Sequence, residues 1–422
     1  MSASANPDIV DDGLVFLYDT DDVKSYKGEP TTNFVTNPDF STGDLTGWSS
    51  TSTSNSDVDI AGVFSENGYN YFHKKVNKTA NGGQDRLVES STYNIDTSKR
   101  TTISIDIWIN PENDYSITFY ARGTTADDTT FDEKPLQNNG STTSTVDLGG
   151  GWVRYIYTLQ TAWYTGSGTS FRIAIYPAYG GRGLMEYKVR QVQVEQKPHA
   201  TPFVNGTRSA TQGLIDRTGN STIDLSNASF DSNAQITFNN TTGGMTGVPV
   251  AHSYLSSSAI EVVVNPNTLN DKDMVGGYRH NNGYSNPTIG SIYIQYNRFY
   301  ASVITAAEVY RHVSSNTISA NQYYHVVLNK DTVDGQLELF VNGVSQGTVS
   351  FDAATYGQWT TAGNYIGTNT LDIGVSTNTN SSQGWGSSTL DGQIPIFKVY
   401  NRTLTTAEVR QNYNATKSRF QL

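Results

Sequence analysis

Residues 336–351 read QLELFVNGVSQGTVSF. Apolar positions alternate through Leu337, Leu339 and Val341, Asn342-Gly343 follows, and a second alternating run passes through Val344, Gly347, Val349 and Phe351. Asn and Gly both tolerate the positive φ of a type I′ turn, so the stretch predicts a β-hairpin. Upstream, YYHVVLN at 323–329 predicts another strand, joined through residues 330–335 with Asp334-Gly335 as a second hairpin turn. Downstream, residues 365–367 (YIG) and 393–401 (QIPIFKVYN) predict two more strands. Residues 404–413 (LTTAEVRQNY) are the strongest helix signal in the chain. Thr405 can cap that helix, Glu408 completes a capping box, and Leu404 with Val409 can form a hydrophobic staple.

The wider composition agrees with strands. Only 36% of the 422 residues are hydrophobic and 16% are charged, yet there are 26 tyrosines. Disordered chains are rich in charge and poor in aromatics, so this composition predicts short strands with polar outer faces. The length allows two or three domains. A formal net charge of −11 with no dense basic cluster excludes a nucleic-acid partner. No apolar run is long enough for a membrane span, and residues 1–12 (MSASANPDIVDD) lack the basic start and apolar core of a secretion signal. There is no cysteine, hence no disulfide and no thiolate ligand or nucleophile.

In chain order, GLVFLY at 13–18 predicts a first strand, followed by Asp19, Asp21 and Asp22. Further strands are expected over 102–109, 116–120, 152–159, 171–176 and 187–195, with Ile103, Ile105, Ile107 and Ile109 on one face and Asp106 and Trp108 on the other. AIEVVVN at 259–265 reads as a core strand, and residues 289–300 as two strands.

Residues 325–331, 337–343, 366–367 and 390–420 together resemble the laminin-G-like, concanavalin A-like jelly roll. The closing run DGQIPIFKVYNRTLTTAEVRQNYNATKSRF at 391–420 is most similar to copies of this domain in virion proteins of tailed marine, cyanophage-type bacteriophages. Asp12-Gly13-Leu14-Val15, Asp19, Ser25-Tyr26, Gly28 and Thr31-Thr32 resemble the opening of the same domain. Its continuation is found only at 214–238, in Asp216, Gly219, Asn220, Ile223 and Phe238. The resemblance therefore implies an all-β fold of two β-sandwich (jelly-roll) domains, one inserted in the other, with a short C-terminal helix. Residues 1–12 would be an N-terminal arm, 13–32 plus 201–422 a discontinuous jelly roll, and 33–200 the insert. Asn37-Pro38-Asp39-Phe40, Gly43, Leu45 and Gly47-Trp48 make the insert similar to β-sandwich carbohydrate-binding modules, and VQVEQKPHATPFV at 192–204 resembles the exit of such a module in phage proteins.

This fold also hosts glucanases, so the resemblance leaves hydrolysis as an alternative. It needs two carboxylates roughly 5–9.5 Å apart. The Glu-x-Asp-x-x-Glu strand of the glucanases is absent; Glu261 has apolar sequence neighbours, and Pro111 interrupts Asp106 and Glu112. No pair among His73, His199, His252, His280, His312 and His325 has metal-ligand spacing, and no Gly-x-Ser-x-Gly occurs. Both resembled families carry structural Ca²⁺ in many members. Asp19, Asp21 and Asp22 are the candidate ligands, against a reading as solvated loop residues, and Gln191 and Gln193 stand where calcium-binding relatives of the insert have an aspartate. No other cofactor is expected.

Sugar binding would use exposed rings beside amides. The candidates are Trp163, Tyr164, Tyr176, Tyr179 and Arg182 in the insert, and Tyr278, His280, Tyr284 and Trp385 in the jelly roll, with Arg279 and Asn281 alongside. Trp48, Trp108 and Trp152 are expected in the core or half-buried. Tyrosines also serve protein contacts. The resemblance implies a non-enzymatic virion protein, assembled in the host cytoplasm: a capsid decoration, head fibre or tail appendage. Its partners would be other virion proteins, host-surface glycans and further copies of itself. A polysaccharide-degrading virion enzyme and an architectural subunit without a ligand are the alternatives.

Overall fold

The hairpin at Asn342-Gly343 is present. Gln336–Val341 pairs antiparallel with Val344–Ser350, and the turn residues have φ of +50° and +75°. Gly335 makes the preceding turn at φ +62°, where a Cβ would lie 2.3 Å from the Phe351 carbonyl oxygen, so glycine is required. A computed structural model describes residues 8–422 except 53, 55, 81–84, 91, 97, 115–116, 125–130, 136–141, 160–169, 178–181, 240–242, 271–272, 281–288, 305–309, 357–366 and 376–388. The chain divides into two compact units, Met1–Pro30 with Ser209–Leu422, and Thr31–Arg208.

The first unit is a jelly-roll sandwich. Its larger sheet runs Ser229–Phe230, Ile236–Asn239, Asp391–Tyr400, Ser258–Pro266, Tyr324–Asp331, Gln336–Val341, Val344–Ser350, with Leu14–Asp19 also paired to Asp391–Tyr400. The facing sheet runs Met245–Pro249, Gly367–Ile373, Asp273–His280, Ile289–Gln295, Arg298–Ile304, Tyr310–Thr317. Alternation places Ile260, Val262 and Val264, Val326 and Leu328, Leu337 and Leu339 between the sheets, against Ile292, Ile294, Phe299 and Leu371. Of the strand expected at 365–367, residues 365–366 lie outside the described residues; the strand there is Gly367–Ile373.

On the outer face of the larger sheet, Ala259, Val327, Phe340 and Tyr400 pack with Leu404 and Val409 of the helix region. The helix spans Thr406–Phe420, seven residues beyond the expected end at Tyr413, because its last turns also have a surface to cover: Thr416 and Phe420 are buried. Thr405 accepts a hydrogen bond from the Glu408 amide, and the Glu408 carboxylate accepts from the Thr405 amide at 2.8 Å, closing the capping box. Thr405→Ala is expected to cost about 1 kcal/mol, read as a lowered urea midpoint with an unchanged slope.

That outer face also carries buried charge. Glu261 is fully buried and accepts from Lys398 Nζ at 2.6 Å, and its Oε2 accepts from Asn412 Nδ2 at 2.5 Å. His325 Nε2 lies 3.1 Å from Glu261 Oε1. Apolar in sequence, the surroundings of Glu261 are therefore polar in space. The network reaches the N-terminus: Val10 donates its amide to Asn412 Oδ1, and Tyr400 donates its hydroxyl to the Val10 carbonyl. Gln411 donates to the Asp8 carbonyl and Arg402 pairs with Asp12. The described part of the expected N-terminal arm, residues 8–12, is thus a strap on its own helix. It is held by one buried apolar side chain, Val10, and these bonds.

The second unit contains two antiparallel sheets. One runs Phe131–Pro135, Ile117–Thr124, Ser170–Pro177, Arg86–Glu89, Trp48–Thr51, with Tyr93–Asn94 also paired to Ser170–Pro177. The other runs Thr142–Gly149, Trp152–Leu159, Thr101–Ile109, Gly183–Glu195, Tyr69–Lys78, Ser56–Glu66. Ile103, Ile105 and Ile107 enter the core with Phe40, Trp48, Phe72 and Tyr187. On the opposite face Arg154 makes bonds of 2.6 and 3.0 Å to the two oxygens of Asp106, while Arg190 lies between the rings of Tyr69 and Trp152. The two ends of the unit are tied together. Thr31-Thr32 pairs with Thr207-Arg208, and Thr31, Gln193 and Thr201 all donate to the buried Glu195 carboxylate.

Candidate functional site

A cleft of about 290 Å³ opens on the first unit. One side is the turn between Ser229–Phe230 and Ile236–Asn239. There Asp231 Oδ1 accepts the amides of Asn233 and Gln235 at 2.8 and 3.0 Å, so a carboxylate shapes the turn. Ala234 sits at φ +59°, and its carbonyl accepts from the buried Tyr26 hydroxyl, which braces the turn from below. The floor comes from Gln393 and Pro395 of the central strand and from Tyr323. Tyr323 donates to Gln393 Oε1 at 2.8 Å, and its ring lies 5.1 Å from that of Phe420. Thr20 and Asp21 follow the first strand, and Arg419 and Phe420 close the far wall from the last turn of the helix.

Arg419 is paired with two carboxylates. Its Nη1 and Nη2 donate to the two oxygens of Asp19, and its Nε donates to Asp21 Oδ2 at 2.9 Å. By contrast, Asp231 Oδ2, Asp21 Oδ1 and the Gln393 amide nitrogen have no partner among the described residues. Burial raises the pKa of the Tyr323 phenol, and the negative charges of Asp21 and Asp231 add to that rise. The cleft therefore presents unspent acceptors, amides and a phenol ring in a negative field.

Of the candidates chosen from sequence, Tyr278 and Arg182 do not line this cleft. Tyr278 is only 2% exposed, lying in Asp273–His280 within the core, where the Lys330 ammonium sits 5.3 Å from its ring centre; it presents no face to a ligand. The alternation of its strand turns it inward, although its sequence neighbours Arg279, His280 and Asn281 are polar. Arg182 is exposed just ahead of Gly183–Glu195 and belongs to the other unit. Tyr176 and His280 lie on strands, but their side chains are outside the described residues, as are Trp163, Tyr164, Tyr179, Tyr284 and Trp385. Trp48 is buried, and Trp108 and Trp152 are half-buried.

The acidic triplet is paired with arginines. Asp19 and Asp21 pair with Arg419, and Asp22 lies 3.1 Å from Arg217. Among the described residues no three or more His, Asp or Glu side chains gather to hold a metal ion. In the insert, Gln193 is buried in the Glu195–Thr201 network, and Gln191 stands at φ +49° in a bulge. The cleft residues Asp231, Asn233, Gln235, Tyr323, Gln393 and Arg419 come from four separated stretches of chain, and no local motif joins them.

Residues 217–410 match the Laminin_G_3 family, the concanavalin A-like lectin/glucanases superfamily. This part of the chain is similar to laminin-G-like domains. No curated protein sequence matches the chain. Similar solved structures include the botulinum neurotoxin type G receptor binding domain, at 18% identity over 49% of each chain with a TM-score of 0.33. The binding domain of Paraclostridial Mosquitocidal Protein 1 aligns at 14% identity over 48% of this chain and 49% of that one, with a TM-score of 0.33. The Ruminococcus gnavus IT-sialidase CBM40 bound to α2,3 sialyllactose aligns at 16% over 37% of this chain and 80% of that one, with a TM-score of 0.30. The match spans about half the length of the first two. The family segment of the laminin-G-like domain contains Asp231, Tyr323 and Gln393, whereas Asp21 and Arg419 lie outside it.

Proposed function

We propose that this chain is a non-catalytic glycan-binding protein whose laminin-G-like domain holds its ligand in the Asp231–Tyr323–Arg419 cleft. The observation that carries this reading is the lining itself. Unspent carboxylate oxygens and amides stand beside a phenol ring, the combination that bonds adjacent sugar hydroxyls while an aromatic surface meets the C–H face. The volume is at the small end of the roughly 300–1,000 Å³ of ligand sites, which suits one or two sugar units.

Glu261 supports the non-catalytic assignment within the sheet. A general acid must hold its proton near neutrality, whereas Lys398 and His325 outweigh burial and keep Glu261 at about 2, sealed under the helix. Similarity of residues 391–420 to phage domains supports display on a virion, with other virion proteins as neighbours. Gold-labelled antibody on purified particles tests that part, and absence of label from every particle would remove it.

The binding reading is tested on a glycan array with the full chain and with Tyr323→Ala. Binding weakened about tenfold or more by the substitution, with far-UV circular dichroism unchanged, is the expected result. An array with no bound glycan would favour the architectural alternative. Release of reducing ends from a bound polysaccharide would instead establish the enzyme.

A further inference from the structure

We infer that the cleft prefers glycans bearing a free amine, unacetylated hexosamine units, over neutral or acidic sugars. This rests on the cleft being the glycan site. Two carboxylates, Asp21 and Asp231, line the cleft with one guanidinium, and Arg419 directs three of its five N–H groups to Asp19 and Asp21. No second cation lines the cleft among the described residues. A uronate or sialate carboxylate placed there would meet two like charges and a guanidinium already paired with two carboxylates. An ammonium on a hexosamine ring would find Asp231 Oδ2 and Asp21 Oδ1 open, each able to accept a charge-assisted hydrogen bond. The Gln393 amide and the Asn233 side chain remain for the ring hydroxyls. Attraction of one sign and repulsion of the other both act to separate the two ligand classes.

The test is isothermal titration of the full chain with the glucosamine trimer, its N-acetylated counterpart, and α2,3-sialyllactose, at low and moderate salt. The expected result is a preference of at least about tenfold for the glucosamine trimer, shrinking as salt rises. Asp231→Asn keeps the Oδ1 acceptor that shapes the turn, so it should remove most of that preference while leaving the N-acetylated trimer's affinity near its original value. Asp21→Asn, which keeps an oxygen for Arg419, is the second variant and should act in the same direction. Equal affinity for the amine and its acetylated form, or preference for the sialylated ligand, would overturn the inference; if Tyr323→Ala still abolished that binding, the cleft reading would stand. Binding of no glycan, or binding indifferent to Tyr323→Ala and both aspartate variants, would overturn the cleft reading and the inference together.

Discussion

Glu261→Ala is expected to destabilise the laminin-G-like domain by about 3–5 kcal/mol, the usual cost of leaving a buried charge without its partner. Lys398 is 1% exposed and its ammonium would face a void where the carboxylate stood. Asn412 would lose one of its two acceptors, keeping only the Tyr400 hydroxyl, and with it a bond that holds the helix to the sheet. The same group makes stability depend on acid. Burial alone would raise the Glu261 pKa, but Lys398 and then His325 outweigh it and hold it at about 2, below the unfolded carboxylate value. Its contribution is therefore present in full above the unfolded pKa of roughly 4.3 and is lost as pH falls toward 2. Urea midpoints measured through this range should drop for the natural chain and drop less for the variant. Glu261→Leu combined with Lys398→Met should recover most of the loss, since an apolar pair avoids desolvating two charges. A single variant as stable as the natural chain would show that the network holds nothing.

Lys330 is expected to make the same domain more stable as pH rises from about 7 to about 10, by on the order of 1.4 kcal/mol per unit. Its side chain follows Val326 and Leu328 into the space between the sheets and is fully buried. The ammonium donates to the Tyr254 carbonyl and to the Tyr356 hydroxyl at 2.9 Å, and lies 4.7 Å from the Tyr356 ring centre. Burial lowers its pKa to about 7. Between that value and the unfolded pKa of roughly 10.4 the unfolded chain binds a proton that the folded chain does not, so stability rises with pH across this window. Below about 7 both states are charged and this group adds no slope. Above about 10 the buried tyrosines Tyr18, Tyr278 and Tyr356, whose pKa values burial raises, keep protons that the unfolded chain releases, and the slope reverses. Lys330→Met should flatten the rise and be the more stable protein near neutrality. Parallel pH profiles for the two chains would contradict this account.

Much of the architecture could be read locally because each signal needs only neighbouring residues. Asn342-Gly343 marks its turn through backbone φ, Thr405 and Glu408 mark the helix start through reciprocal bonds, and Ile103, Ile105 and Ile107 mark an inward face by their period of two. The end of the helix was not legible. Nothing in NATKSRF resembles an apolar stripe, and only a sheet waiting beneath Thr416 and Phe420 makes those turns worth forming. Tyr278 shows the reverse error: a polar local context, Tyr-Arg-His-Asn, accompanies a ring that strand geometry directs into the core.

By itself, then, the sequence determined an all-β chain with a capped C-terminal helix, since alternation, turn chemistry and capping are encoded within a few residues of each other. Tertiary structure alone decided where charge is buried and where the cleft lies. Glu261 meets Lys398 and Asn412 across 137 and 151 positions, and Asp21 meets Arg419 across 398. Whether a carboxylate is a solvated loop residue, a buried anchor or an open acceptor depends on which distant group reaches it, and no local pattern records that meeting.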